Sequence, residues 1–146
     1  ISSVGFYNQD LDGKEPQSWL DLRAKIKGAD AVLFVTPEYN RSVPGVLKNA
    51  IDCGSRPYGT SAWSGKPGGV VSVSVGAIGG FGANHHLRQS MVFLDVPMMS
   101  QPEAYVGNAS ALFDAAGEVA QAETREFLQR YMAAFADWVG RHAAGR

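Results

Sequence analysis

Thr36-Pro37-Glu38-Tyr39-Asn40-Arg41-Ser42-Val43-Pro44-Gly45-Val46-Leu47-Lys48-Asn49-Ala50-Ile51-Asp52 follows directly on the apolar run Ala31 to Val35. A strand that ends in a polar, aromatic-bearing turn from which a helix leaves is how open α/β sheets build ligand sites. The turn carries neither a GxGxxG fingerprint nor a lysine-bearing phosphate loop. It offers instead the face of Tyr39 between the carboxylate of Glu38 and the carboxamide of Asn40. Backbone N–H groups are exposed beside it where the helix begins. These groups suit a flat, partly polar ring able to carry negative charge.

The surrounding chain alternates strand and helix signals. Ala31 to Val35 is short and uniformly apolar, which predicts a buried parallel strand. Pro44 suits the first turn of the next helix, which carries Val46, Leu47, Ala50 and Ile51 and breaks near Cys53-Gly54. Upstream, Val4 to Tyr7 reads as a short strand, and Ser18 to Lys27 as an amphipathic helix with Trp19, Leu22 and Ile26 on one face. Downstream, Ser55 to Pro67 is a surface loop, Gly69 to Val75 a second central strand, and Asn84 to Leu94 a helix. Val96 to Met99 reads as another strand, with Glu103 to Val106 extending it past Pro102. A long helix runs from about Val119 to His142 through Phe127, Leu128, Tyr131, Phe135 and Trp138. The order β-α-β-α-β-α-β-α predicts an α/β domain over the whole chain, with helices on both faces of a parallel sheet.

Composition narrows the function. The 146 residues are 45% hydrophobic, enough for one domain with a real core. A net charge of -1 argues against a nucleic-acid partner. One cysteine permits no internal disulfide, so the cytoplasm is the simplest compartment. The apolar runs fall short of the ~20 residues that span a bilayer, so no membrane partner is expected. Among bland readings, Tyr39 can be a core or turn residue and Glu38 a helix-start carboxylate. Cys53 reads as a small buried hydrophobe rather than a nucleophile. His85 and His86 lack a second cluster at ligand spacing, so no metal site is expected.

Two loops follow central strands at their carboxyl ends, Thr36 to Ser42 and Ser74 to Gly82. Glycines at 76, 79, 80 and 82 let the second loop approach a ligand and turn N–H groups toward it, and Ser74 adds a hydroxyl. A flavin needs such a setting: donors near its N1/C2 edge to hold the charge of the reduced form, and a polar group near N5. Hydride chemistry then requires no nucleophile or acid–base side chain, and no Ser-His-Asp or paired-carboxylate signature is present.

Here the residues become recognisable. Thr36-Pro37-Glu38-Tyr39-Asn40, the run Ser42 to Asp52, Ser55-Arg56-Pro57, Gly65-Lys66-Pro67, Gly79-Gly80 and His86-Leu87-Arg88-Gln89 together resemble the NADPH-dependent FMN reductase family. That family has the flavodoxin-like three-layer fold, and the likeness is to its bacterial quinone and chromate reductase branch. The resemblance implies that Pro37, Glu38, Tyr39 and Asn40 line the isoalloxazine ring, with Arg41 at the rim. Ser74, Val75, Gly76, Gly79 and Gly80 would hold the other edge. In such proteins a hydride passes from NADPH or NADH through bound FMN to a quinone or other small acceptor in ping-pong order. Members assemble as homodimers or homotetramers, and Arg56 and Glu103 match positions near subunit contacts and the site mouth.

The departures from the family pattern matter too. Family members begin with a strand and a Gly-Ser-rich loop for the FMN phosphate, both upstream of anything matched here. The expectation is therefore an N-terminally incomplete domain, with Val4 to Tyr7 as the second strand and a poorer hold on FMN. Cys53 and His85 stand where aromatics are common. A second reading is a flavodoxin-like binding or interaction module without turnover.

Overall fold

In the computed structural model, which describes residues 1–143, the hydrophobic run centred on Phe34 forms strand β1, Val32–Pro37. It pairs in parallel with β2, Gly68–Val73, in the register Phe34↔Val70 and Thr36↔Ser72. β3, Ala104–Val106, joins the far side of β2 with Val71 opposite Ala104, so the sheet order is β1-β2-β3. Helices α1 (Gln17–Gly28), α2 (Gly45–Gly54), α3 (Phe81–Phe93) and α4 (Ala122–Ala143) connect and flank these strands.

Strand alternation sends neighbouring residues to opposite faces and so makes two cores. Phe34 and Val70 face Ile26 of α1, Ile51 of α2, and Leu87 and Met91 of α3, with Trp63 closing the edge. Val71, Ala104 and Val106 face Tyr131 and Phe135 of α4. Gly69 lets α4 come close, because a Cβ there would lie 2.9 Å from the Phe135 ring and the Tyr131 hydroxyl. Tyr131 then donates to the Val70 carbonyl at 3.0 Å, which satisfies its buried hydroxyl. This is the expected three-layer arrangement, with one helix on one face and three on the other.

The strand expectations fail at two places. Val4 to Tyr7 forms no ladder. The segment is laid on the helices by side chains: the Tyr7 N–H donates to Asn49 Oδ1 at 2.8 Å. The Gly5 carbonyl accepts from Asn49 Nδ2 at 3.0 Å and from Trp19 Nε1 at 3.1 Å. Asn49 thus supplies the donor and acceptor that a neighbouring strand would offer, and the alternation that suggested a strand carries no information about that substitute.

Val96 to Met99 makes only the single parallel bridge Gly68↔Met98. Pro97 has no N–H to give a ladder; its carbonyl instead accepts from Gly68 N–H and from Trp138 Nε1, each at 3.0 Å. Strand pairing resumes at Ala104, so the segment read as an extension is the strand itself. The observed order therefore begins with a short 3-10 turn, Gln9–Leu11, followed by α1, and contains three strands among the described residues.

Val35 also departs from expectation. Its neighbours Phe34 and Thr36 are buried, but Val35 is 66% exposed. It shares a face with Leu33, which packs into the α4 core, whereas α4 does not reach the carboxyl end of β1. If Asn49 is what anchors the N-terminal segment, Asn49→Ala should cost about 1 kcal/mol of stability in urea unfolding. Hydrogen exchange should show the Tyr7 amide losing its protection; a Tyr7 amide that stays protected would sink this account.

Candidate functional site

The carboxyl ends of β1 and β2 open side by side. After β1 the chain makes a tight turn in which the Tyr39 N–H donates to the Ser42 carbonyl at 2.9 Å and the Ser42 N–H returns to the Tyr39 carbonyl at 3.0 Å. Both central residues are left-handed, Asn40 at φ 51° and Arg41 at φ 64°. Positive φ at both central positions is the pattern of a type I′ turn. Asparagine tolerates it, whereas arginine there stores strain of about 1–2 kcal/mol. The turn leaves Tyr39 61% exposed, its ring standing over the space between the loops.

Glu38 joins this turn to the second loop. Its side chain is only 12% exposed, and Oε2 accepts the backbone N–H of Ala83, in the first turn of α3, at 3.0 Å. The helix dipole favours a carboxylate there, so Glu38 caps α3 from another part of the chain. The Arg41 guanidinium lies 3.8 Å from Oε1 but is 75% exposed, and such a pair contributes little. Gly82 makes the approach possible: a Cβ there would sit 2.7 Å from the Arg41 carbonyl oxygen and 2.9 Å from Glu38 Oε2.

The second loop is stitched to the segment after β3. Ser74 N–H donates to Val106, Asn108 N–H to the Gly76 carbonyl and Ala109 N–H to the Ser74 carbonyl. The Ser74 hydroxyl accepts from Gly76 N–H at 3.1 Å, leaving its proton free to donate. Gly79 and Gly80 take φ values of 64° and 76°, and a Cβ at Gly79 would collide with the Tyr105 backbone at 2.5 Å. Among the described residues, the N–H groups of Gly80, Phe81 and Gly82 have no hydrogen-bond partner. Orphan donors at a helix start are ready to meet an electron-rich acceptor.

Between the loops lies a cleft of about 400 Å³. Of the sequence-predicted residues, Pro37, Glu38, Tyr39, Ser74 and Val75 line it. Asn40 and Arg41 form the tip of the first turn, and Gly76, Gly79 and Gly80 belong to the second loop; none of these five lines the cleft itself. Sequence reading missed Val35, Thr36, Val73 and Ala109 on its walls. The valines read as core, and Ala109 reaches the cleft only because its N–H is tied to Ser74. Size, apolar walls and orphan donors together fit a flavin ring.

Arg56 and Glu103 are not in this cleft. Arg56 lines a separate groove of about 780 Å³ with Ser42, Lys48, Asp52 and His86. It also holds the Tyr7 hydroxyl through Nε at 3.3 Å. Glu103 sits beside Tyr105: burial first, then the Glu103 carboxylate, push the Tyr105 hydroxyl up to about 12. That hydroxyl therefore stays protonated at neutral pH and pairs with His85 Nε2 at 2.9 Å. Cys53 is fully buried, and burial pushes its thiol up, in keeping with a core role.

The sequence profile of the NADPH-dependent FMN reductase family matches residues 2–111. A quinone reductase of Pseudomonas putida is 61% identical over 140 residues, covering 95% of this chain and 75% of that protein. A 2-hydroxy-1,4-benzoquinone reductase of a Burkholderia species is 46% identical over 139 residues, covering 95% of this chain and 76% of the relative. Among solved structures, the flavoenzyme NAD(P)H:(acceptor) oxidoreductase FerB of Paracoccus denitrificans superposes with a TM-score of 0.90 at 43% identity, covering 97% of this chain and 78% of that one. Similarity of this extent sets aside the reading as a binding module without turnover. The chain belongs to the NADPH-dependent FMN reductase family, whose cofactor is FMN and whose electron donor is NAD(P)H.

Proposed function

We propose that this protein is an FMN-dependent NAD(P)H oxidoreductase that reduces quinone-like acceptors, with the ring held in the cleft between the β1 and β2 loops. The observation that carries the site is the juxtaposition of an exposed Tyr39 ring, an apolar cleft, and the Ser74 hydroxyl on its wall with a proton free to donate. Bound FMN supplies two-electron chemistry, taking a hydride from the nucleotide and passing two electrons to the acceptor. The chain's own residues bind and orient. Pro37 and Tyr39 meet one side of the ring, with Asn40 and Arg41 at its rim, while Ser74, Val75, Gly76, Gly79 and Gly80 surround the other edge. Val35, Val73 and Val75 keep that part of the cleft apolar, which strengthens the donors' hold on developing negative charge.

Several finer features belong to the same proposal. Acceptors could include chromate, because reduction by a bound flavin makes few chemical demands on the acceptor. The protein works in the cytoplasm as a single flavodoxin-like domain per subunit, in keeping with its near-neutral charge. Among the described residues no helix is long and apolar enough to cross a membrane. Assembly into a homodimer or homotetramer is supported by apolar side chains left open on α3, where Val92 is 79% and Phe93 75% exposed. Arg56 lines the groove that also borders Phe93, consistent with a role near a subunit contact. Glu103, paired with Tyr105, lies off the cleft and acts on the flavin only indirectly.

Two variants test the site. Tyr39→Ala, and separately Asn40→Ala, should weaken FMN binding by about ten-fold in fluorescence titration, the order expected for loss of one aromatic contact in the first and one hydrogen bond in the second; unchanged affinity in both counts decisively against this placement of the ring. Glu38→Ala should cost about 1–2 kcal/mol in thermal or urea unfolding, as loss of a helix cap does. It should also lower FMN affinity, since the first loop is then tied to α3 only through Ser42 and His86. A variant as stable as the wild type, with equal affinity, removes Glu38 from this account.

A further inference from the structure

We propose that Ser72, Asn84 and Arg88 form a buried chain of hydrogen bonds whose direction fixes how the Gly79–Gly80 peptide faces the flavin. They are positioning residues, and the inference rests on the flavin site described above. Ser72 and Asn84 are both fully buried, on the face of the sheet otherwise filled by Phe34, Val70 and Leu87. Polar side chains placed there carry a desolvation cost unless every group is used.

Here all the side-chain groups but Arg88 Nη2, which is buried without a partner among the described residues, are used, and in one direction. Arg88 Nε donates to Asn84 Oδ1 at 2.9 Å, and Arg88 Nη1 to the Met99 carbonyl at 2.9 Å. A guanidinium can only donate, so it turns the Asn84 amide with oxygen toward α3 and nitrogen toward the sheet. Asn84 Nδ2 then donates to Ser72 Oγ at 3.2 Å and to the Ala104 carbonyl at 3.3 Å. With Nδ2 donating to it, Ser72 Oγ accepts there and sends its one proton on, to the Gly79 carbonyl at 2.7 Å. Ala104, 3.3 Å from the same oxygen, is the weaker alternative acceptor and is already served by Asn84. Each bond in such a chain polarises the next.

The end of the chain is where function enters. In a trans peptide the carbonyl and the following N–H point in opposite directions. Holding the Gly79 carbonyl inward against Ser72 therefore turns the Gly80 N–H the other way, and that N–H has no hydrogen-bond partner among the described residues. Two successive glycines at φ 64° and 76° would leave this peptide free to reorient; the Ser72 bond selects one orientation. The charged side chain that starts the chain is in α3, and the donor it orients is in the loop that precedes α3. The Arg88, Asn84 and Ser72 side chains thus act on the flavin edge without touching it.

The test uses FMN titration and the flavin midpoint potential of the loaded protein. Asn84→Asp keeps shape and the bond to Arg88, but the carboxylate introduced there cannot donate to Ser72 and instead draws the Ser72 proton away from Gly79. FMN affinity should fall about ten-fold, with a more negative midpoint potential and an unfolding temperature no lower than the wild type. Ser72→Ala should do the same, and Ser72→Thr, which restores a hydroxyl in a strand, should recover both quantities. If Asn84→Asp folds and binds FMN with wild-type affinity and potential, the directional chain is refuted. If it fails to fold, the Ser72→Ala and Ser72→Thr pair decides on the same two readouts, and equal values for both refute it. Should Tyr39→Ala leave affinity intact as well, the site itself has failed; a weakened Tyr39→Ala beside unchanged Asn84 and Ser72 variants overturns only the positioning chain.

Discussion

The carboxylate of Glu38 resting on the first turn of α3 is the contact on which the rest of the site depends. β1 and β2 deliver their loops to the same end of the sheet, but backbone pairing stops at Pro37 and Val73. Beyond that point nothing in the ladder sets the distance between the loops. Two hydrogen bonds to α3 set it: the charge-assisted one from the Ala83 N–H to Glu38, favoured by the α3 dipole and permitted by the missing Cβ of Gly82, and one between the Ser42 hydroxyl and His86 Nδ1 at 2.8 Å. The cleft width, the exposure of Tyr39 and the accessibility of the α3 N-terminal donors follow from them.

Around this clamp the structure spends local strain and buried polarity where a ligand is to be held. Asn40 and Arg41 sit in left-handed conformations at the turn tip, and Gly79 and Gly80 do so across the cleft. Ser72, Asn84 and Arg88 run a polar thread through a core that hydrophobic residues could have filled. Away from the cleft the molecule is conventional, with valine and aromatic contacts on both faces of β2 and glycines where a neighbour must come close, Gly69 under α4, Gly68 under Met98 and Gly54 under Trp63. This contrast between an unstrained scaffold and strained loops is what a preorganised binding site requires.

Much of this was legible from residues alone, and the reasons are local. Ala31 to Val35 and Gly69 to Val75 are too apolar for surface strands, and β1 and β2 lie within two residues of those bounds. Pro44 marked the start of α2, and the heptad-like run through Phe127, Tyr131 and Phe135 marked α4. The pairing of the Tyr39 turn with the glycine loop was legible as well, because both follow central strands. The failures came where local pattern met a distant partner. Val4 to Tyr7 has strand-like residues, but Asn49 takes the role of a neighbouring strand. Val96 to Met99 is apolar enough for a strand, but Pro97 breaks the ladder.

The sequence by itself determined the alternation of strands and helices, the location of the two ligand loops and the kind of ring they suit. These follow from periodicity, turn chemistry and residue type, all of which act over a few positions. Only the tertiary structure decided that Glu38 accepts the Ala83 N–H at the start of α3, that Val35 faces the cleft rather than the core, and that Ser72 points its proton at Gly79. Each of these depends on which atoms, 7 to 45 residues away along the chain, come within hydrogen-bond or packing distance, and no local pattern encodes that.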